Sequence, residues 1–160
     1  MKVLFIGGTG KISSACSQLA VDQGIELYLL NRGQTLERPA PSEAKILHGD
    51  IYDRNLTEKA IGDLKFDSVV NWNAYTPKDI ENDLSVFTGK TEQYIFISSA
   101  SAYQKPLLKL PITEETPLVN PFWEYSRNKI ACEERLMREY VKEKFPVTIV
   151  RPSHTYDKTM

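Results

Sequence analysis

Val3-Leu4-Phe5-Ile6-Gly7-Gly8-Thr9-Gly10-Lys11-Ile12-Ser13 decides the fold. Four consecutive apolar residues without polar alternation read as a strand buried on both faces, the kind found in parallel sheets. The glycine run then turns the chain, and Ile12, Ala15, Cys16, Leu19 and Ala20 recur at helical spacing. Gly8-Thr9-Gly10-Lys11-Ile12-Ser13 matches G-x-G-x-x-G with serine in the last place, and Gly7 adds the wider G-x-x-G-x-x-S reading. Glycines there let the backbone approach a pyrophosphate, which the helix N-terminus binds through free N–H groups and its dipole. A glycine turn that merely joins strand to helix has the same composition; the position directly after the first strand favours the phosphate reading.

Outward from that turn, residues 26–30 form a second apolar strand ending at Asn31-Arg32-Gly33, so a β-α-β unit closes within the first 33 residues. Pro39 and Pro41 mark a loop before a short third strand at 45–47, and His48-Gly49-Asp50 a turn after it. A short helix is expected over 54–62, a strand over 68–72, a helix over 78–88 and a strand over 94–97. Residues 101–121 hold four of the nine prolines and read as a long loop over the sheet edge. A long helix over 122–144 and a sixth strand over 147–150 complete the pattern. The fold class is therefore α/β, a doubly wound parallel sheet of the Rossmann kind, with ligands expected at the carboxyl ends of the strands.

The chain of 160 residues is read as one domain, 1–160, large enough to bury a core without disulfides or metals. Twenty basic and 21 acidic residues, spread evenly, leave a formal charge of -1 and no footprint for nucleic acid or anionic lipid. Cys16 and Cys132 lie in helical patterns without metal-ligand spacing and read as reduced core thiols of a cytoplasmic protein. No apolar run is long enough to span a membrane, and Gly7-Gly8 interrupts the first apolar stretch before it could serve as a signal peptide. His48 and His154 are too separated to suggest a metal, and they read as structural; Trp72, Phe122 and Trp123 read as packing aromatics.

At the end of the second strand an acidic residue would favour NAD by accepting from the adenosine ribose; Asn31 stands there instead, followed by Arg32. A guanidinium can pair with a 2′-phosphate, so the lean is to NADP over NAD, although Arg32 as a solvated cation or stacked on adenine fits either cofactor. Two Tyr-Lys pairs have i,i+4 spacing. With eight Tyr and thirteen Lys, chance alone supplies roughly 0.65 such pairs. Helix direction separates them: a helix following a parallel strand starts at the carboxyl edge, which puts Tyr125 and Lys129 beside the cofactor side and Tyr140 and Lys144 far from it. The Lys129 ammonium is expected to lower the Tyr125 phenol pKa, so that the tyrosine can move a proton while hydride passes to or from nicotinamide. A hydroxyl from Ser98 or Ser99, directly after the fifth strand, could hydrogen-bond the reacting oxygen.

Gly7-Gly8-Thr9-Gly10-Lys11-Ile12, His48-Gly49-Asp50-Ile51, Asn71-Trp72-Asn73-Ala74, Phe96-Ile97-Ser98-Ser99-Ala100-Ser101-Ala102-Tyr103, Tyr125-Ser126-Arg127-Asn128-Lys129 and Arg151-Pro152 occur in that order. Together they resemble the extended short-chain dehydrogenase/reductases, the NAD-dependent epimerase/dehydratase group. The resemblance implies that Asp50 binds the adenine amine with Ile51 beside the ring, that Ala74 and Tyr75 line the cofactor channel, and that Ser98 adjoins it. It further implies Ser99 as the catalytic hydroxyl, Tyr125 as acid/base and Lys129 as the residue that holds the nicotinamide ribose. Ser13, and Ala102-Tyr103-Gln104 where the family usually has Val-Tyr-Gly, depart from the pattern.

The expected activity is NAD(P)-dependent epimerase, dehydratase or reductase chemistry on a nucleotide-sugar or related polyol. Leu30-Asn31-Arg32-Gly33 is similar to a subset with chloroplast and bacterial RNA-associated members, which supplies the alternative of a non-catalytic dinucleotide-sensing or RNA-associated protein. Family members continue past Arg151-Pro152 into a smaller substrate lobe, so the resemblance implies that these residues are the amino-terminal part of a longer protein. Alone they are expected to bind dinucleotide weakly or not at all, and to turn over no substrate. Relatives often pair through helices equivalent to 78–88 and 122–144; Leu136, Met137 and Tyr140 would supply a homodimer face or a core stripe.

Overall fold

The computed structural model describes residues 1–33 and 38–156. Six strands, β1 (Lys2–Ile6), β2 (Glu26–Asn31), β3 (Lys45–His48), β4 (Ser68–Asn71), β5 (Tyr94–Ile97) and β6 (Val147–Val150), form one sheet in the order β3-β2-β1-β4-β5-β6. Every neighbouring pair is parallel. The helices are α1 (Ser13–Asp22), α2 (Arg54–Ile61), α3 (Pro77–Phe87) and α4 (Glu124–Glu143), with a 3-10 turn over Ala100–Ala102.

The unbroken apolar strands follow from cover on both faces. In β1, Leu4 and Ile6 join a core built with Ile61 of α2, Ile80, Leu84 and Phe87 of α3, and Cys132 and Leu136 of α4. Val3 and Phe5, pointing the other way, pack with Leu27 and Leu29 of β2 and Ala20 of α1. Local signals start the helices: the Asp53 side chain accepts from the Leu56 N–H at α2, while Thr76 and Asp79 form a capping box around Pro77 at α3.

β4 stops at Asn71 instead of continuing through Trp72, because Asn71 Oδ1 accepts the Asn73 N–H (2.7 Å) and turns the chain out of the sheet. α4 begins at Glu124, after Asn120 Oδ1 has accepted the Phe122 N–H (3.2 Å) and left Trp123 extended. The loop after the 3-10 turn folds back on itself, with Gln104 and Lys105 N–H donating to the Pro117 and Val119 carbonyls. Both cysteines are free, Cys132 in the core and Cys16 half-buried.

Two readings of single residues change. Phe122 and Trp123 are 76% and 55% exposed, outside the core, because they enter α4 beyond the carboxyl edge of the sheet, although the Trp123 ring lies 4.8 Å from that of Tyr125. His48 and His154 are exposed, and His48 lines a cavity. The expected stripe on α4 divides, with Leu136 fully buried while Met137 and Tyr140 face outward. Tyr140 and Lys144 are a surface pair, as the helix direction required.

Candidate active site

The chain reverses direction across the sheet between β1 and β4, and in such sheets the crevice opens above the carboxyl ends at that point. The glycine turn sits there. Gly7 has φ of +83°, and a Cβ on it would lie 2.3 Å from Asn73 Nδ2, so only glycine fits. Gly8 is buried beneath the turn, where a Cβ would come within 2.5 Å of Leu29. Ser13, in the place of the third glycine, is 2% exposed and staples the turn: its hydroxyl accepts from the Gly10 N–H (2.8 Å) and donates to the Gly7 carbonyl (2.6 Å). Ser17 adds a bond to the Gly8 carbonyl (2.7 Å). Ile12 occupies the N-cap of α1 and no side chain caps it, while the Gly10 carbonyl takes the Ser14 N–H (3.0 Å). A shaped glycine cradle at an uncapped helix start fits a dinucleotide pyrophosphate.

On the β2 side the turn opens into a cavity of about 550 Å³ lined by Gly7, Thr9, Gly10, Lys11, Asn31, Arg32, Asp50 and Ile51, together with Arg38, His48, Tyr52 and Asn73. Asn31 Oδ1 is committed to the Gly33 N–H (3.0 Å), and Arg32 is exposed beside it. Asp50 Oδ1 accepts from the Tyr52 N–H (3.1 Å), and the Tyr52 hydroxyl donates to the Asn73 carbonyl (2.7 Å), bridging the ends of β3 and β4. Burial pushes the Tyr52 phenol up to about 12, so it stays a donor.

On the β5 side a second cavity, about 360 Å³, is lined by Ile12, Tyr75, Ser98, Ser99, Tyr125 and Lys129, and also by Trp123 and Thr155. Gly7, Gly10, Lys11 and Asn73 line both cavities, so the two meet at the glycine turn. The expected site residues are thus brought to one groove, except Gly8 and Ala74. Ala74 is 1% exposed with its side chain in the core, and contributes through its carbonyl.

Lys129 is 2% exposed. Its ammonium donates to the Ala74 carbonyl (2.6 Å) and the Ile97 carbonyl (2.8 Å), and it lies 4.8 Å from the ring centres of Tyr75 and Phe96 and 5.6 Å from that of Tyr125. Burial pulls it down to about 8, against the pull of Cys132, Asp79 and Glu133. The Tyr125 phenol is pushed up by burial while its hydrogen bond with Ser99 acts the other way. The expected lowering by Lys129 is therefore not what the fold produces. Spacing i,i+4 aligned the two side chains, but the ammonium is drawn to the carbonyl ends of β4 and β5 instead of the phenol oxygen.

The two serines separate. Ser98, 2% exposed, donates its hydroxyl to Glu133 Oε1. Ser99 accepts from the Ser101 N–H (3.1 Å) and is the hydroxyl beside Tyr125. Glu133, 2% exposed, is held by Arg151 through Nε (3.0 and 3.1 Å) and Nη2 (2.6 Å), and Arg151 Nη1 donates to the Tyr103 hydroxyl (3.1 Å). This network ties the ends of β5 and β6 to α4. Sequence reading passed over Glu133, although it stands one further i+4 step along the Tyr125-Lys129 face; Tyr52 carried no signal, and Trp123 reads from sequence only as a packing aromatic. Among the described residues no cluster of three or more His, Cys, Asp or Glu could hold a metal ion, and no helix is long and apolar enough to cross a membrane.

The chain is similar in sequence and in fold to known proteins. The model of the NAD dependent epimerase/dehydratase family matches residues 3–159. A UDP-glucose 4-epimerase of Lactobacillus helveticus is 36% identical over 151 residues, covering 83% of this chain and 45% of that protein. The chloroplast stem-loop binding protein of 41 kDa b of Arabidopsis thaliana is 30% identical over 167 residues, 97% of this chain and 42% of its own length. The crystal structure of dTDP-glucose 4,6-dehydratase from Bacillus anthracis in complex with NAD superposes with a TM-score of 0.83 at 20% identity, over 99% of this chain and 56% of that one, a likeness of fold. The chain spans about half the length of the curated relatives it matches. By sequence and by fold alike, this chain belongs to the NAD-dependent epimerase/dehydratase family.

Proposed function

We propose that the chain is the dinucleotide-binding and catalytic part of an NAD(P)-dependent epimerase, dehydratase or reductase acting on a nucleotide-sugar or related polyol. The observation that carries the reading is the meeting of Ser99, Tyr125 and Lys129 on the wall of a groove that begins at the glycine turn. Bound nicotinamide supplies the hydride acceptor and donor. Gly7, Gly8, Thr9, Gly10, Lys11 and Ile12 hold the pyrophosphate, Asp50 and Ile51 the adenine, and Tyr75 flanks the nicotinamide half. Tyr125 takes the proton from a substrate hydroxyl and returns it, and Ser99 orients that oxygen. Lys129 keeps the backbone ends of β4 and β5 together and presents its charge beneath the nicotinamide ribose.

The cofactor reading leans to NADP. Asn31 is spent on the turn and cannot replace a ribose-binding carboxylate, and Arg32 and Arg38 both line the adenosine cavity. Calorimetry with each cofactor tests this, and tighter NAD binding ends the NADP proposal. Because relatives are about twice as long, turnover is proposed for the protein that contains this chain; the described residues alone line both cavities, which supports weak dinucleotide binding by the chain itself. In the whole protein Tyr125→Phe should abolish turnover of a UDP-hexose while leaving cofactor affinity within about threefold, and an unaffected rate removes the catalytic assignment.

The 30% identity to a chloroplast stem-loop binding protein over 97% of the chain favours a second reading, an RNA-associated protein that kept the fold. Salt-dependent binding of a stem-loop RNA, with no turnover of any nucleotide-sugar, would establish it instead. Pairing through α3 and α4, with Met137 and Tyr140 at the contact, and residence in the cytoplasm complete the proposal; light scattering reads the first and fractionation the second.

A further inference from the structure

Asp83 is buried in the middle of α3, 1% exposed, and among the described residues no basic side chain pairs with it. Its Oδ2 accepts two donors, Asn71 Nδ2 at 2.5 Å and the Tyr94 hydroxyl, while Oδ1 is buried without a partner. A carboxylate enclosed in this way with one bare oxygen is costly to keep charged. Burial pushes it up to about 7 despite both donors.

Asn71 passes this state on. Its side-chain amide gives Nδ2 to Asp83 and uses Oδ1 to accept the Asn73 N–H (2.7 Å). Only one orientation of the amide does both. If Asp83 takes up a proton, its O–H becomes a donor; Oδ1 has no partner to receive it, and at Oδ2 either the Tyr94 hydroxyl turns to accept, which takes away the acceptor of its own hydrogen, or the Asn71 amide turns its oxygen toward α3, the course that keeps Tyr94 bonded. That turn sets Nδ2 against the Asn73 N–H, donor facing donor, and the bond is lost. Asn73 and Ala74 are the residues that matter for the groove. The Asn73 side chain lies against Gly7, its carbonyl accepts from Tyr52, and the Ala74 carbonyl accepts from Lys129.

We propose that Asp83 is a positioning residue for the dinucleotide groove, acting through the Asn71 amide to hold Asn73 and Ala74 against the glycine turn and releasing them when the carboxylate is protonated. The consequence for ligand rests on the dinucleotide reading; the relay itself does not. Of the groups that face Asp83, Tyr94 and Cys132 stay neutral over the range in which it titrates. Tyr94 of β5 is raised well above the usual phenol range by burial, and Cys132 of α4 is pushed up to about 12 by burial. Asp79, one turn earlier on α3, adds a like charge, and β4 contributes only the neutral Asn71.

The test follows the backbone amide of Asn73 and the side-chain amide of Asn71 by NMR of this chain from about pH 5.5 to 8.5. Both should move with a midpoint near 7. In Asp83→Asn that step should be lost from both, leaving at Asn73 only the change near 8 that follows Lys129 on the adjoining Ala74 carbonyl. Tyr94→Phe leaves the carboxylate in place with one donor fewer, so its midpoint should rise by about one pH unit, which identifies Asp83 without altering it. NADPH should bind about tenfold more weakly at pH 6 than at pH 8, since only about a tenth of the molecules keep the ionised form, and Asp83→Asn should remove that dependence. An Asn73 amide that stays still in the wild-type chain, or titrates unchanged in Asp83→Asn, overturns the relay even if dinucleotide binds. A titrating Asn73 with no dinucleotide bound at any pH supports the relay and refutes the dinucleotide reading.

Discussion

Removing either partner of the Glu133–Arg151 pair should destabilise the chain far more than removing both. Glu133 Oε1 and Oε2 accept three bonds from one guanidinium, and the side chains are 2% and 18% exposed. Glu133→Met keeps the volume but strands the guanidinium and the Ser98 hydroxyl; Arg151→Met strands a buried carboxylate. Deleting one partner of a buried pair costs about 3–5 kcal/mol, and the partial exposure of Arg151 places each single variant near the lower figure. For a chain of this length about 3 kcal/mol lowers the melting temperature by roughly 6–12 °C. The double variant replaces the pair with apolar packing and should lie within about 1.5 kcal/mol of wild type. Urea melts of all four proteins measure the cycle. Single variants costing less than about 1 kcal/mol, or a double variant equal to the sum of the singles, would refute the reasoning. Because Ser98 follows Ile97, whose carbonyl receives Lys129, the single variants should also loosen the base of the candidate site.

Lys129 should leave a signature at high pH. Its ammonium is held down to about 8 from 10.5, so between those values the folded chain has released the proton that the unfolded chain still binds. Stability from this group is therefore lowest below pH 8 and rises through the window, by about 3 kcal/mol relative to Lys129→Met; parallel stability profiles for the two proteins contradict this. Ser13→Ala removes both hydrogen bonds of the staple and should cost about 1–2 kcal/mol in a urea melt, whereas a loss under about 0.5 kcal/mol would mean that the glycine turn holds itself.

Most of the fold is legible in residues 3–13 and their echoes, since a strand covered on both faces must be apolar throughout and a glycine turn must follow it. Boundaries shifted where a side chain captured a backbone group, as Asn71 did at the end of β4 and Asn120 before α4, because such captures depend on geometry that composition does not carry. The residues of the candidate groove were legible through motif order. Their electrostatics were not: the direction of the Lys129 ammonium is set by the Ala74 and Ile97 carbonyls, which are 55 and 32 residues away in the chain. Asp83 and Glu133 were invisible for the same reason, since an acid on a helix reads as solvated until the fold buries it.

The most direct test of the central claim is a chemical-shift map of this chain with NADPH at about 5 mM, a concentration that mostly fills a millimolar site. The account predicts that the amides of Gly7 to Ile12, Arg32, Asp50, Ile51, Tyr75 and Tyr125 move together, tracing one path from the β2 side of the glycine turn to the β5 side. Unmoved amides along that path, or shifts confined to the outer face of α4 around Met137, would contradict it.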